Sequence, residues 1–93
     1  MIKGFKSKEV EKIFNRKFSH KLPLGIQKVA LRKLWMLDAA VDINDLRILP
    51  SNRLGALSGD REGQHSIRIN KQWRICFRWE QGDVYNVEII DYH

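Results

Sequence analysis

Cysteine is nearly absent from this chain. Cys76 stands alone, so no intramolecular disulfide can form and a secreted disulfide scaffold is excluded. Only two prolines occur among 93 residues and no low-complexity tract appears, which argues against a linker-like or disordered chain. No window approaches the roughly 18 consecutive apolar residues of a membrane span, and the first residues carry no apolar signal core. A soluble cytoplasmic protein that does not engage membranes is the expectation. Three histidines and one cysteine, all scattered, give no metal-ligand spacing, so neither metal nor other cofactor is expected. Acidic residues are also scarce, 11 against 17 Lys+Arg. The resulting formal charge of +6 on so small a body favours polyanionic partners.

What is present suffices for one ordered domain over residues 1–93. The apolar fraction is 43% and there are nine aromatics (three Trp, two Tyr, four Phe). Residues 1–6 read as a strand or extended lead-in. Ser7 is placed to cap a helix whose apolar positions are Val10, Ile13 and Phe14, with Lys8, Lys12 and Arg16 on another face. Pro23 suits the first turn of a second helix, with a stripe of Ile26, Val29, Ala30, Leu34, Leu37 and Val41. The short connection predicts an antiparallel helical hairpin. Residues 42–52 are polar and read as a loop. Residues 53–57 form a short strand candidate, and residues 58–63 a turn-rich connection.

Strict alternation then takes over. His65, Ile67 and Ile69 share one side, as do Trp73, Ile75, Phe77 and Trp79, and then Tyr85, Val87 and Ile89. The fold class expected is α+β, in the order β-α-α-β-β-β-β, with an antiparallel sheet covered on one face by the two-helix hairpin. Register is set by parity, because a one-residue slip would turn every side chain over. Asn70-Lys71-Gln72 as a three-residue loop sets Ile67 against Ile75 and Arg68 against Arg74. Gln81-Gly82-Asp83 as the next loop sets Trp79 against Tyr85, Phe77 against Val87 and Ile75 against Ile89.

This register stacks like charges on the open face. Arg68 and Arg74 face each other, Arg78 lies further along, and Glu88 is the only strand acid there. Arginines at this spacing read either as a phosphate-binding surface or as solvated charges that tolerate one another. The terminal Asp91-Tyr92-His93 offers a carboxylate, a stacking ring with a hydroxyl and a group that titrates near neutrality. His65 falls among core positions and reads as a packed or satisfied histidine. Cys76 lies on the open face without a partner base, and the strand tryptophans and Phe77 read as core.

Three runs carry a resemblance over essentially the whole chain. They are residues 59–67 (GDREGQHSI), 73–77 (WRICF) and 87–93 (VEIIDYH), supported by residues 1–5 and 37–40. They resemble HigB toxins of the RelE/ParE superfamily. The resemblance implies a RelE-like fold and a toxin encoded with a HigA-like helix-turn-helix antitoxin, through which alone it reaches operator DNA. It also implies entry into the ribosomal A site and metal-independent cleavage of mRNA by attack of a ribose 2′-hydroxyl on the adjacent phosphate. On this chain Arg74 would stabilise charge developing on phosphorus. Asp91 and His93 would manage proton transfer and orientation, and Tyr92 would pack against a base or hold the scissile nucleotide. Arg61, Arg68, Arg78 and Lys71 would contact the RNA. One departure matters: strongly ribonucleolytic relatives read His-Pro-Leu-Lys-Gly where this chain has Gly55-Ala56-Leu57-Ser58-Gly59. A mild toxin is expected, with a non-cleaving inhibitor of translation or ribosome assembly as the alternative.

Overall fold

In the computed structural model, which describes residues 1–91, Ser7 opens the first helix, α1 (Lys8–Phe14). Its hydroxyl accepts the Glu9 N–H, and Glu9 and Glu11 occupy the turn where the helix dipole favours acids. Val10 and Ile13 are buried as their spacing predicts. The second helix, α2 (Leu24–Ala39), starts after Pro23 and buries Ile26, Ala30, Leu34 and Leu37. Val41 does not close that stripe: it is 81% exposed. The Asp45 carboxylate accepts the N–H groups of Val41 and Asp42 and draws the chain out of the helix. Residues 42–52 are not an irregular loop: they hold two 3-10 helices, Ile43–Arg47 and Pro50–Asn52, which bury Leu46 and Asn52. Among the described residues no helix is long and apolar enough to cross a membrane.

The strand expected over residues 53–57 contracts to β1 (Gly55–Ala56) because Arg53, at φ 46°, turns the backbone just before it. A 3-10 helix, Gly59–Arg61, occupies the connection to the next strand. β2 (Gln64–Arg68), β3 (Trp73–Glu80) and β4 (Asp83–Asp91) then complete an antiparallel sheet in the order β1-β2-β3-β4. The N-terminal segment runs parallel to β4, with bridges Ile2–Val84 and Phe5–Val87. Its backbone bonds include Lys3 N–H to Val84 C=O (2.7 Å) and Val87 N–H to Gly4 C=O (3.2 Å).

Register between β2 and β3 is the one parity demands, with Ile67 opposite Ile75 and Arg68 opposite Arg74. The second hairpin departs from expectation. Its turn is two residues, Gln81-Gly82, both at positive φ (50° and 87°) as a type I′ turn requires, and Glu80 pairs with Asp83. Trp79 therefore pairs with Val84, and Arg78 with Tyr85. A bulge between Cys76 and Arg78, with Asn86 at φ 55°, shifts the ladder back, so that Ile75 still meets Ile89 and Arg74 meets Ile90. The bulge sends both Val84 and Val87 into the core, where they are fully buried, and leaves Tyr85 partly exposed.

The helices cover the face bearing Ile67, Ile75, Phe77, Val84 and Val87, which packs with Ala30, Leu34 and Leu37. Each large side chain sealed there contributes about 1.5–3 kcal/mol. His65 is packed but not satisfied. Its ring stacks on Phe77 (centroids 6.1 Å apart), and its buried Nδ1 has no hydrogen-bond partner among the described residues.

Candidate active site and its cationic face

The opposite face of the sheet carries Ser66, Arg68, Arg74, Cys76, Arg78 and Glu88. Its centre is Arg74. Nε–H donates to Ser66 Oγ (2.8 Å), and Nη2 donates to the Arg53 carbonyl (2.8 Å) and the Ser66 carbonyl (3.4 Å). The left-handed turn at Arg53 brings that carbonyl over β2. All three of these acceptors are neutral oxygens, and together they orient the guanidinium.

Around Arg74 the other expected side chains divide into two sets. Arg68 stands directly across the ladder, a like-charge juxtaposition that costs roughly 0.2–1 kcal/mol. Arg78 lies over Gly63, where an added Cβ would sit 3.1 Å from Arg78 Nη1; Gly63 has φ +90°. Neither Arg68 nor Arg78 makes an ion pair or side-chain hydrogen bond among the described residues. Lys71 is exposed in the β2–β3 turn. Arg61, by contrast, is engaged: it donates to Glu88 Oε2 (2.9 Å) and Gln64 Oε1 (3.3 Å), and Lys6 approaches the same Glu88 oxygen (3.4 Å). Glu88 raises the Arg61 pKa further. Beneath this pair Cys76 is fully buried, and burial pushes its thiol pKa up, away from the nucleophilic thiolate.

Asp91 lies across from Trp73, one position beyond Arg74's partner Ile90, and its Oδ2 accepts from Gln72 Nε2 (3.0 Å). Tyr92 and His93 lie outside the described residues. Gly55 pairs with Ser66, and among the described residues a Cβ there would meet only the Arg53 carbonyl oxygen, at 3.9 Å. Ser58 is exposed and makes no side-chain cap bond. Among the described residues no group of three His, Cys, Asp or Glu side chains is gathered in one place.

Sequence reasoning passed over Ser66 and Arg53, whose oxygens accept from Arg74. Ser66 was within reach, since the parity that opposes Arg68 and Arg74 also puts Ser66 on their face, opposite Cys76. The Arg53 carbonyl was not, because a left-handed non-glycine residue leaves little trace in sequence.

Comparisons with known proteins agree with this architecture. The HigB-like toxin family model, described as the RelE-like toxin of the type II toxin–antitoxin system HigB, matches residues 3–93. Toxin HigB-1 of Vibrio cholerae is 43% identical over 83 residues, covering 88% of this chain and 87% of the relative. Endoribonuclease HigB of Proteus vulgaris is 34% identical over 93 residues, the full length of both chains. Among solved structures, a YoeB/ParE toxin from Agrobacterium tumefaciens superposes with a TM-score of 0.52 at 19% identity, over 99% of this chain and 96% of that one; it shares the fold. The sheet and its helical cover are therefore those of a RelE-like toxin of a type II toxin–antitoxin system, and this chain belongs to the HigB-like family.

Proposed function

We propose that this protein is a ribosome-dependent endoribonuclease that cuts mRNA in the A site and is neutralised by a HigA-like helix-turn-helix antitoxin. The observation that carries the reading is Arg74, oriented by Ser66 and the Arg53 carbonyl at the centre of a face where Arg68 and Arg78 have no acidic partner among the described residues. The full-length relative named an endoribonuclease supports the reaction class. In the proposed step the ribose 2′-oxygen bonds to phosphorus and the P–O5′ bond breaks. The products are a 2′,3′-cyclic phosphate and a 5′-hydroxyl. Arg74 stabilises the extra negative charge on the non-bridging oxygens in the transition state. His93 and Asp91 take the 2′-hydroxyl proton and supply one to O5′, and Tyr92 holds the scissile nucleotide. Arg68, Arg78 and Lys71 contact the RNA backbone, and Arg61 serves mainly to anchor Glu88.

A second reading has one specific support: neither Gly55 nor Ser58 carries a group that can move a proton at neutral pH. On that reading the protein occupies the ribosome and blocks translation without cutting. Incubation with translating ribosomes followed by mapping of RNA 5′ ends decides between them. New 5′-hydroxyl ends within the A-site codon, lost on Arg74→Ala and on His93→Ala, support the nuclease. Inhibition of translation without new ends, retained on His93→Ala, supports the blocker.

A further inference from the structure

Four cations converge beside the reaction face: Arg68 and Lys71, already named as RNA contacts, are joined there by Arg32 and Lys33 of α2. An open cleft of about 500 Å³ lies between α2, the second 3-10 helix and the β2–β3 turn. Arg32 and Lys33 of α2 line one wall, and Arg68 and Lys71 line the other, with Ser51 and Asn70 between them. No acidic residue lines it among the described residues. Arg32, Arg68 and Lys71 make no ion pair or side-chain hydrogen bond among those residues either. Lys33 is only 8% exposed, and its ammonium donates to the amide oxygen of Asn52, a neutral partner. Burial, and after it the charge of the neighbouring Arg32, lowers the Lys33 pKa.

Such a cluster opposes folding unless an anion joins it, because like charges on facing walls repel and a buried ammonium without a carboxylate is poorly solvated. Hydroxyl, amide, ammonium and guanidinium donors around one opening match the several acceptor oxygens of a phosphodiester. Arg68 also connects the cleft to the reaction face: it lines the opening and stands opposite Arg74 in the sheet.

We propose that this cleft is a second phosphate-binding site, in which Arg32, Lys33, Arg68 and Lys71 hold a backbone phosphate of the RNA whose scissile phosphate lies at Arg74. This rests on the RNA-cleaving reading and adds to it a path for the strand, around the end of the sheet from Arg74 past Arg68 to α2. The cleft sets how firmly a flanking nucleotide is held, and the reaction face sets the chemistry.

The test uses the full chain and an uncleavable 2′-O-methyl RNA 12-mer, with binding followed by fluorescence anisotropy over a salt series. Arg32 is at the surface and is not among the RNA contacts named for the reaction face, so Arg32→Ala leaves both the fold and that face intact. It should weaken binding at least tenfold and reduce the salt slope by about 0.7 for each phosphate no longer neutralised. The charge-reversed Arg32→Glu should weaken it further, whereas Lys12→Ala, on the other helix, should change neither quantity. Unchanged affinity and slope in Arg32→Ala overturn the proposal. So does tighter cleft-dependent binding of an oligoglutamate of equal charge, which would make the site one for an acidic peptide. Failure of the nuclease reading is separable. In that case no 5′-hydroxyl ends arise on ribosomes, yet Arg32→Ala still loses affinity for the 12-mer.

Discussion

The Nε–H of Arg74 points at the hydroxyl of Ser66, 2.8 Å away, across two neighbouring strands whose register is fixed by parity. A guanidinium held in this way is pre-oriented for a trigonal-bipyramidal phosphorane, which a swinging side chain would have to capture. Ser66→Ala should therefore lower kcat about tenfold with little change in KM, since a hydrogen bond to a charged group is worth roughly 1.5–3 kcal/mol. Arg74→Ala should lower it by about a hundredfold or more. Arg74→Lys should rescue poorly, because an ammonium cannot reproduce the fork. Single-turnover cleavage on programmed ribosomes measures all three. An unaltered rate in Ser66→Ala would show that the hydroxyl does not position Arg74.

Gly55 stands beside Ser66, and a Cβ there would make an ordinary van der Waals contact with the Arg53 carbonyl oxygen, at 3.9 Å. Gly55→His should fold normally and bring an imidazole onto the Arg74 face. If proton transfer limits the reaction, cleavage rises by about tenfold or more, towards the roughly 100-fold or greater gain that a well-positioned general base supplies. The same ribosome assay reads the gain, and the introduced imidazole should add a titration near neutral pH to the rate profile.

The stability of the fold should fall with acidity through His65. Burial, then the charge of Arg47, lowers its pKa below the ordinary 6.5. The unfolded chain consequently binds this proton more readily than the folded one. The contribution is present in full above pH 6.5 and is lost as pH falls from there through the depressed folded value. His65→Phe keeps the stacking on Phe77 and removes the titration. Melting temperatures recorded from about pH 7.5 to 5 should slope less steeply for the variant than for the parent; parallel curves would remove His65 as the cause.

The bulge at Asn86 offers a test of backbone strain. Its φ of 55° suits Asn or Gly but not a β-branched residue. Asn86→Val should destabilise the fold by about 1–2 kcal/mol and Asn86→Gly by far less, as urea unfolding would show.

Most of the architecture was legible because it rests on periodicity. The cap at Ser7, the stripe of α2 and the Arg68–Arg74 pairing all come from spacing or loop parity. The second hairpin shows where that logic ends. A two-residue turn moved the ladder by one position, and the bulge at Asn86 moved it back, so Ile75 met Ile89 as expected while Trp79 and Tyr85 did not meet. A bulge is a local compromise between turn geometry and core filling, and period-two alternation cannot encode it. The cationic cleft was hidden for a different reason. Lys33 and Lys71 are far apart in the chain, and only the docking of α2 beside the β2–β3 turn brings them to one opening. The roles proposed for Tyr92 and His93 rest on the sequence.

The N-terminal segment has a consequence for the timing of folding. Residues 2–5 leave the ribosome that makes this protein long before their partners at Val84 and Val87 do. β4 lies between β3 and that segment, so a chain that stops before β4 gives neither of them its neighbour. Closing so long a loop is entropically costly and slow compared with forming α1 or α2. A nascent chain thus carries its helices early but assembles the Arg74 face only after β4 has emerged, so translation products cut short of β4 should be harmless to the cell.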